Sequence, residues 1–198
     1  LSGDFPVEQS VHEYDVVRWI KGEANPVSCQ GQGGRIVRDS PDHGNIYDHF
    51  DMEYEFADGS LVTAQHRHIK GCWTFFGEKI TGTKGRAELS SKTRGWIQPN
   101  GGEQKRYRES GNSYQIEHDR LFRAIREDLD FNEAERGAYS SLMAIMGRDA
   151  AYTGQLITWE DALNSPKSIG TSAEDWEAEA PILLGDDGRY PIAKPGRA

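Results

Sequence analysis

The order of periodicities along the chain predicts an α+β fold, an open and mostly antiparallel β-sheet with helices on one face. Three observations carry this. An amphipathic helical segment opens the chain, a run of short β-branched and aromatic segments fills its middle, and two further helical segments follow. Short turns between the middle segments argue against a parallel sheet, whose strands need long crossovers. At 198 residues the chain is long enough for one domain with a real core. That domain is expected to span 1–198, with an irregular tail from Ser165 rich in Pro, Gly and Asp.

The first helix is expected from Val7 to Lys21, with Val7, Val11, Tyr14, Val17 and Ile20 near one face and Gly22 as its stop. Glu8, His12, Asp15 and Trp19 stack on the adjacent stripe. Asn25-Pro26 and the GQGG run at 31–34 are expected to break regular structure. Strands are expected at Ile46–Phe56, Leu61–Ile69, Trp73–Thr81 and Arg86–Ser90, with weaker ones at Gly95–Gln98 and Gln104–Tyr107. Asp58-Gly59 marks a hairpin, and Gly82-Thr83-Lys84-Gly85 a second tight turn. A helix over Ser113–Leu129 would bury Ile116, Leu121, Ala124 and Ile125. Asn132, with Glu135 three residues on, caps a longer helix running to Gly154. Gly137 and Gly147 inside it imply a close neighbour, since each weakens a helix by about 1 kcal/mol relative to Ala. Thr158 caps a short last helix, Trp159–Asn164.

Composition removes several function classes. A net charge of −9 argues against nucleic-acid binding, which needs clustered Lys and Arg. No apolar run approaches the roughly 20 residues of a membrane helix. Cys29 and Cys72 lack a CxxC partner and read as separate thiols. The chain has no GxGxxG after a strand and no GK[ST] loop, so it offers no phosphate cradle for a nucleotide. It opens on LSGDFPVEQ and has no Met before Met52, which reads either as a chain whose leader was removed or, the preferred reading, as a piece of something longer.

The chemistry-bearing candidates cluster. Glu8, His12 and Asp15 place an imidazole, which titrates near neutral pH, one turn from a carboxylate that could orient it. Such pairs are also common decoration on solvated helices. In Tyr47-Asp48-His49-Phe50-Asp51 polar groups occupy both strand faces, so that His49 could line a wet cleft and Arg67 could add a fixed cation. The alternative is an ordinary solvent-facing strand. His66 and His68, with Cys72 or His49, could ligate a metal, but no third ligand has diagnostic spacing and a polar sheet face is preferred. No metal is therefore expected.

The opening GDFPVEQSVHEYDVVRWIKGEANP resembles the C-terminal-domain signature of the glucose–fructose oxidoreductase / inositol dehydrogenase (Gfo/Idh/MocA) family. Gly3, Glu8, His12, Asp15, Trp19 and Gly22 fall onto its pattern. The likeness continues through GNIYDHFDMEYEFADG, EKITGTKG, NEAERGAYSSLMAIMGRDAAYTGQLITWEDAL and RYPIAKPG, closest to a bacterial branch of NADH-dependent oxidoreductases. The resemblance implies a dihydrodipicolinate-reductase-like α+β domain that follows a Rossmann domain lying outside this sequence. It implies NAD or NADP held mainly by that Rossmann domain, a sugar or polyol substrate, and homo-oligomers formed through the sheet. His12 would be the catalytic acid/base, Glu8 the preceding carboxylate (usually Asp in the family), and Asp15 a substrate contact. The family's catalytic Lys belongs to the Rossmann domain, and this chain alone is expected to be inactive. Two alternatives stay open: half of an NAD-dependent glycosidase, and a non-enzymatic oligomerisation or carbohydrate-binding domain. The bacterial cytoplasm or, with an export signal, the periplasm would house the protein.

Overall fold

A computed structural model of the chain describes residues 3–90, 95–107, 111–168 and 182–196. In chain order its elements begin with α1 Asp4–Glu8, α2 Val11–Ile20, β1 Pro26–Gly34, a 3₁₀ turn Pro41–His43, β2 His49–Phe56 and β3 Leu61–Arg67. There follow β4 Gly77–Gly82, β5 Gly85–Ser90, β6 Trp96–Pro99, β7 Lys105–Arg106 and α3 Ser113–Glu127. The last are α4 Ala134–Thr153, β8 Ile157–Thr158 and α5 Trp159–Leu163. The chain divides into two compact units, Leu1–Cys72 with Arg136–Ala198, and Trp73–Glu135. The α+β class holds, but the strands form two antiparallel sheets rather than one, in the orders β3-β2-β1-β8 and β4-β5-β6-β7. Alternation along a sequence reveals strands but not their partners, because pairing is a tertiary choice.

In the first unit β2 is the spine. Phe50, Met52, Tyr54 and Phe56 alternate onto one buried face, and His49, Asp51, Glu53 and Glu55 onto the other. The buried face packs against Met143, Ala144, Met146, Ala150 and Ala151 of α4. Tyr14 of α2 joins this core through an edge-on contact with Tyr54, their ring centroids 5.5 Å apart. The Asp58-Gly59 hairpin forms as expected, with Phe56 N–H donating to the Ser60 carbonyl at 3.0 Å. The described part of the tail runs along this unit, and Tyr47 Oη donates to the Ala193 carbonyl at 2.9 Å. Residues 169–181 and 197–198 of the expected irregular tail lie outside the described residues.

Two expectations fail instructively here. The GQGG run does not break structure; it forms the end of β1, paired residue by residue with β2. Its glycines answer to crowding. A Cβ on Gly33 would stand 2.6 Å from the His49 carbonyl, and one on Gly31 3.0 Å from Met52 Cγ. The opening helix is not continuous either. Gln9 and Ser10 N–H both return to the Phe5 carbonyl, closing α1, and the Ser10 carbonyl then starts α2. In α4, Gly147 has the close neighbour its helix position implied, whereas Gly137 has none within 4 Å.

The second unit holds the small β4–β7 sheet and α3. Gly82 pairs with Gly85 across the expected tight turn. Asn112 caps α3, its Oδ1 accepting from Tyr114 N–H at 3.0 Å. The expected apolar face of α3 is mostly open: Ile116, Leu121 and Ile125 are exposed, and Ala124 is buried. Asn132 meets its capping role, accepting from Ala134 N–H at 2.9 Å.

Candidate functional site

The opening stripe is divided by the break at Gln9–Ser10. Glu8 ends α1 on the surface and accepts the Gly3 N–H at 3.2 Å. His12 stands exposed in the first turn of α2. One turn on, the Asp15 carboxylate accepts from Arg136 Nη2 at 2.9 Å and from the Ser140 hydroxyl at 2.8 Å. The Arg136 guanidinium also lies 4.2 Å over the Trp19 ring. The second half of the stripe is thus tied to α4, while His12 faces solvent. Beside it, Glu13 has one carboxylate oxygen buried without a hydrogen-bond partner among the described residues. Burial pushes its carboxyl above the usual range, against the pull of the neighbouring His12.

Three strand ends meet at one end of the first sheet. Gly34 of β1 pairs with His49 of β2, and His49 with Arg67 of β3. The structure therefore brings His49 and Arg67 together as cross-strand neighbours on the open face. Asp48 fixes this end. Its Oδ2 accepts from the amides of Ile36, Val37 and Arg38 at 2.8, 2.7 and 3.2 Å, and its Oδ1 contacts His49 Nδ1 at 2.8 Å. Burial alone would raise the Asp48 pKa, but His49 and the three amides outweigh it and hold the carboxyl below its usual value.

The covered face of the same sheet end carries a group that sequence reasoning left on a polar surface. His66 Nδ1 meets Ser10 Oγ and its Nε2 meets Tyr14 Oη, each at 2.9 Å. Burial lowers its pKa to about 4, so at neutral pH it is an uncharged imidazole between two hydroxyls. It anchors the start of α2 to the end of β3, and His12 lies between the two anchoring residues in sequence. The alternation of β3 places His66 opposite the buried Phe50, which was the available signal. Among the described residues no group of three or more His, Cys, Asp and Glu could hold a metal ion. Cys29 and Cys72 are free thiols.

No protein-family model matches the sequence, and neither does any curated protein. Solved structures do match. A levoglucosan dehydrogenase in complex with NADH and levoglucosan shares 16 % identity at a TM-score of 0.61, over 76 % of this chain and 49 % of that one. An aldose-aldose oxidoreductase from Caulobacter crescentus, complexed with glycerol, shares 16 % at 0.62, over 75 % and 45 %. The myo-inositol 2-dehydrogenase of Lactobacillus plantarum shares 17 % at 0.52, over 77 % and 48 %. The fold is one shared with Gfo/Idh/MocA-type oxidoreductases. This chain spans about half the length of each of these matches.

Gly31, Gly33 and Gly34 are strand residues, and Gly82 and Gly85 close a hairpin. Neither glycine run opens a helix, the place where free backbone amides favour a phosphate. No helix among the described residues is long and apolar enough to cross a membrane.

Proposed function

We propose that this chain is the substrate-side part of an NAD(P)-dependent oxidoreductase acting on a sugar or polyol hydroxyl. Its nicotinamide coenzyme would be held mainly by a Rossmann domain outside this sequence. The observation that carries the reading is an exposed imidazole, His12, on a helix anchored through Ser10, Tyr14 and His66 to the sheet end that holds His49 and Arg67. The fold likeness to sugar and polyol dehydrogenases supports the same class.

His12 would accept the substrate hydroxyl proton as the carbinol carbon gives up its hydride and becomes a carbonyl. The coenzyme, when bound, supplies the hydride acceptor. His49 and Arg67, on the open face of that sheet end, would donate hydrogen bonds to the part of the substrate that extends past the sheet end from His12. Glu8, a surface carboxylate preceding His12, and Asp15, already paired with Arg136, would set the charge around the imidazole. The same reading has copies of the chain assemble through the open face of the first sheet.

The test is His12→Ala in the natural full-length protein, with coenzyme reduction followed across a panel of sugars and polyols. Turnover should fall by about 10²–10⁴, the usual value of positioned acid–base catalysis, whereas a loss within about threefold would remove the role. Cleavage of a glycoside without net coenzyme reduction would instead assign the glycosidase chemistry.

A further inference from the structure

The loop between β1 and β2 folds against residues 189–192 around a recess of about 190 Å³. Arg35, Arg38 and Arg189 line it, together with Ser40, Tyr190 and one carboxylate residue, Asp39. Three cations against one anion is a local excess of positive charge in a chain whose net charge is −9. Among the described residues none of the three guanidinium groups has a carboxylate within 4 Å.

Part of this arrangement is structural. Arg35 clips the loop, donating to the carbonyls of Arg38, Gly44 (2.6 Å) and Ser40 (3.5 Å). Arg38 and Arg189 are different. Arg38 Nη2 makes a 2.7 Å contact with His68 Nδ1, and Arg189 Nη1 donates to the Asp39 carbonyl at 3.2 Å. A guanidinium carries five N–H donors in a planar fork, so one bond each leaves most of both forks available. The negative charge of Asp48, behind the loop, is already taken up by three amides and His49.

Such forks match carboxylate and phosphate oxygens, and the bonds they make are charge-assisted. Size narrows the ligand. Organic ligand clefts usually hold about 300–1,000 Å³; this smaller recess suits an oxyanion and the few atoms that carry it. We propose that the recess is a binding site for a small molecule bearing a carboxylate or phosphate, gripped by Arg38 and Arg189 over a loop that Arg35 holds in shape. The site stands apart from the oxidoreductase reading and does not need His12. The bond from Arg38 to His68, the residue after Arg67, places it beside the sheet end that carries His49 and Arg67.

The experiment is calorimetric titration of the chain with inorganic phosphate, glycerol 3-phosphate and gluconate, repeated with Arg38→Gln and Arg189→Gln. At least one probe should bind saturably at a single site, and either substitution should weaken it about tenfold, the worth of one lost charge-assisted hydrogen bond. Melting temperature should change little, because each side chain makes a single exposed hydrogen bond within the protein. Phosphate binding as tightly as the organic probes would assign the site to a free ion; tighter binding of an organic probe would assign it to a substrate or effector group. No saturable binding of any probe at about 10 mM, well above the millimolar range of weak sites, overturns the proposal. Equal binding by the parent chain and both variants overturns it too.

Discussion

The imidazole of His66 lies between Ser10 and Tyr14, and its protonation is set by burial rather than by either hydroxyl. The unfolded chain takes up this proton below about pH 6.5, while the folded chain refuses it down to about 4. The unfolded state therefore binds more protons across that window, and stability falls as the pH drops through it. From pH 7.5 to 4.5 the loss should be about 2–3 kcal/mol, at about 1.36 kcal/mol per pH unit. Urea unfolding of His66→Gln at both values checks this: its pH dependence should shrink by that amount, and an unchanged dependence would refute the account. That His12 stands on an early helix was legible in the sequence, because helical periodicity is local. Arg38 and Arg189 were not, since the two meet through a loop and a tail some 150 positions apart.

Among the elements, α4 shows how one residue type carries two meanings. A Cβ on Gly147 would stand 1.9 Å from Tyr54 Oη and 2.6 Å from Met52 Sδ. Tyr54 cannot yield easily, because its hydroxyl donates to the Met143 carbonyl at 3.0 Å within the core. Overpacking at about 1–3 kcal/mol should therefore outweigh any helix-propensity gain, and Gly147→Ala should lower stability. Gly137 is exposed with nothing near its Cβ position, so Gly137→Ala should raise stability by about 0.5–1 kcal/mol. Denaturant midpoints of the two variants test the pair, and like signs would contradict it. The same reasoning corrects β1. Glycines at 31, 33 and 34 looked like breakers, yet they allow β1 to lie against β2 and the Ala151 backbone of α4. A sequence displays the missing side chain but not the neighbour that requires it missing.

At the scale of the whole molecule, the open face of the first sheet is polar. Gln30 and Gln32 on β1, Asp51 and Glu53 on β2, and Thr63 and Gln65 on β3 form a polar carpet, bridged by Gln30 Nε2 to Glu53 Oε1 at 3.0 Å. The proposed assembly through this face predicts a multimer in light scattering that Thr63→Arg, at its centre, dissociates. A monodisperse parent chain would count against the interface. The sequence by itself determined the α+β class, most strands and helices, the Asp58-Gly59 hairpin and the capping roles of Asn132 and Thr158. These are local consequences of periodicity, turn chemistry and unpaired amides at helix ends. Only the tertiary structure decided that the strands split into two sheets, that Asp15 pairs with Arg136, and that His66 is held, partly buried, between Ser10 and Tyr14. Each of those depends on residues far apart in the chain, whose meeting is fixed by packing and burial rather than by any local preference.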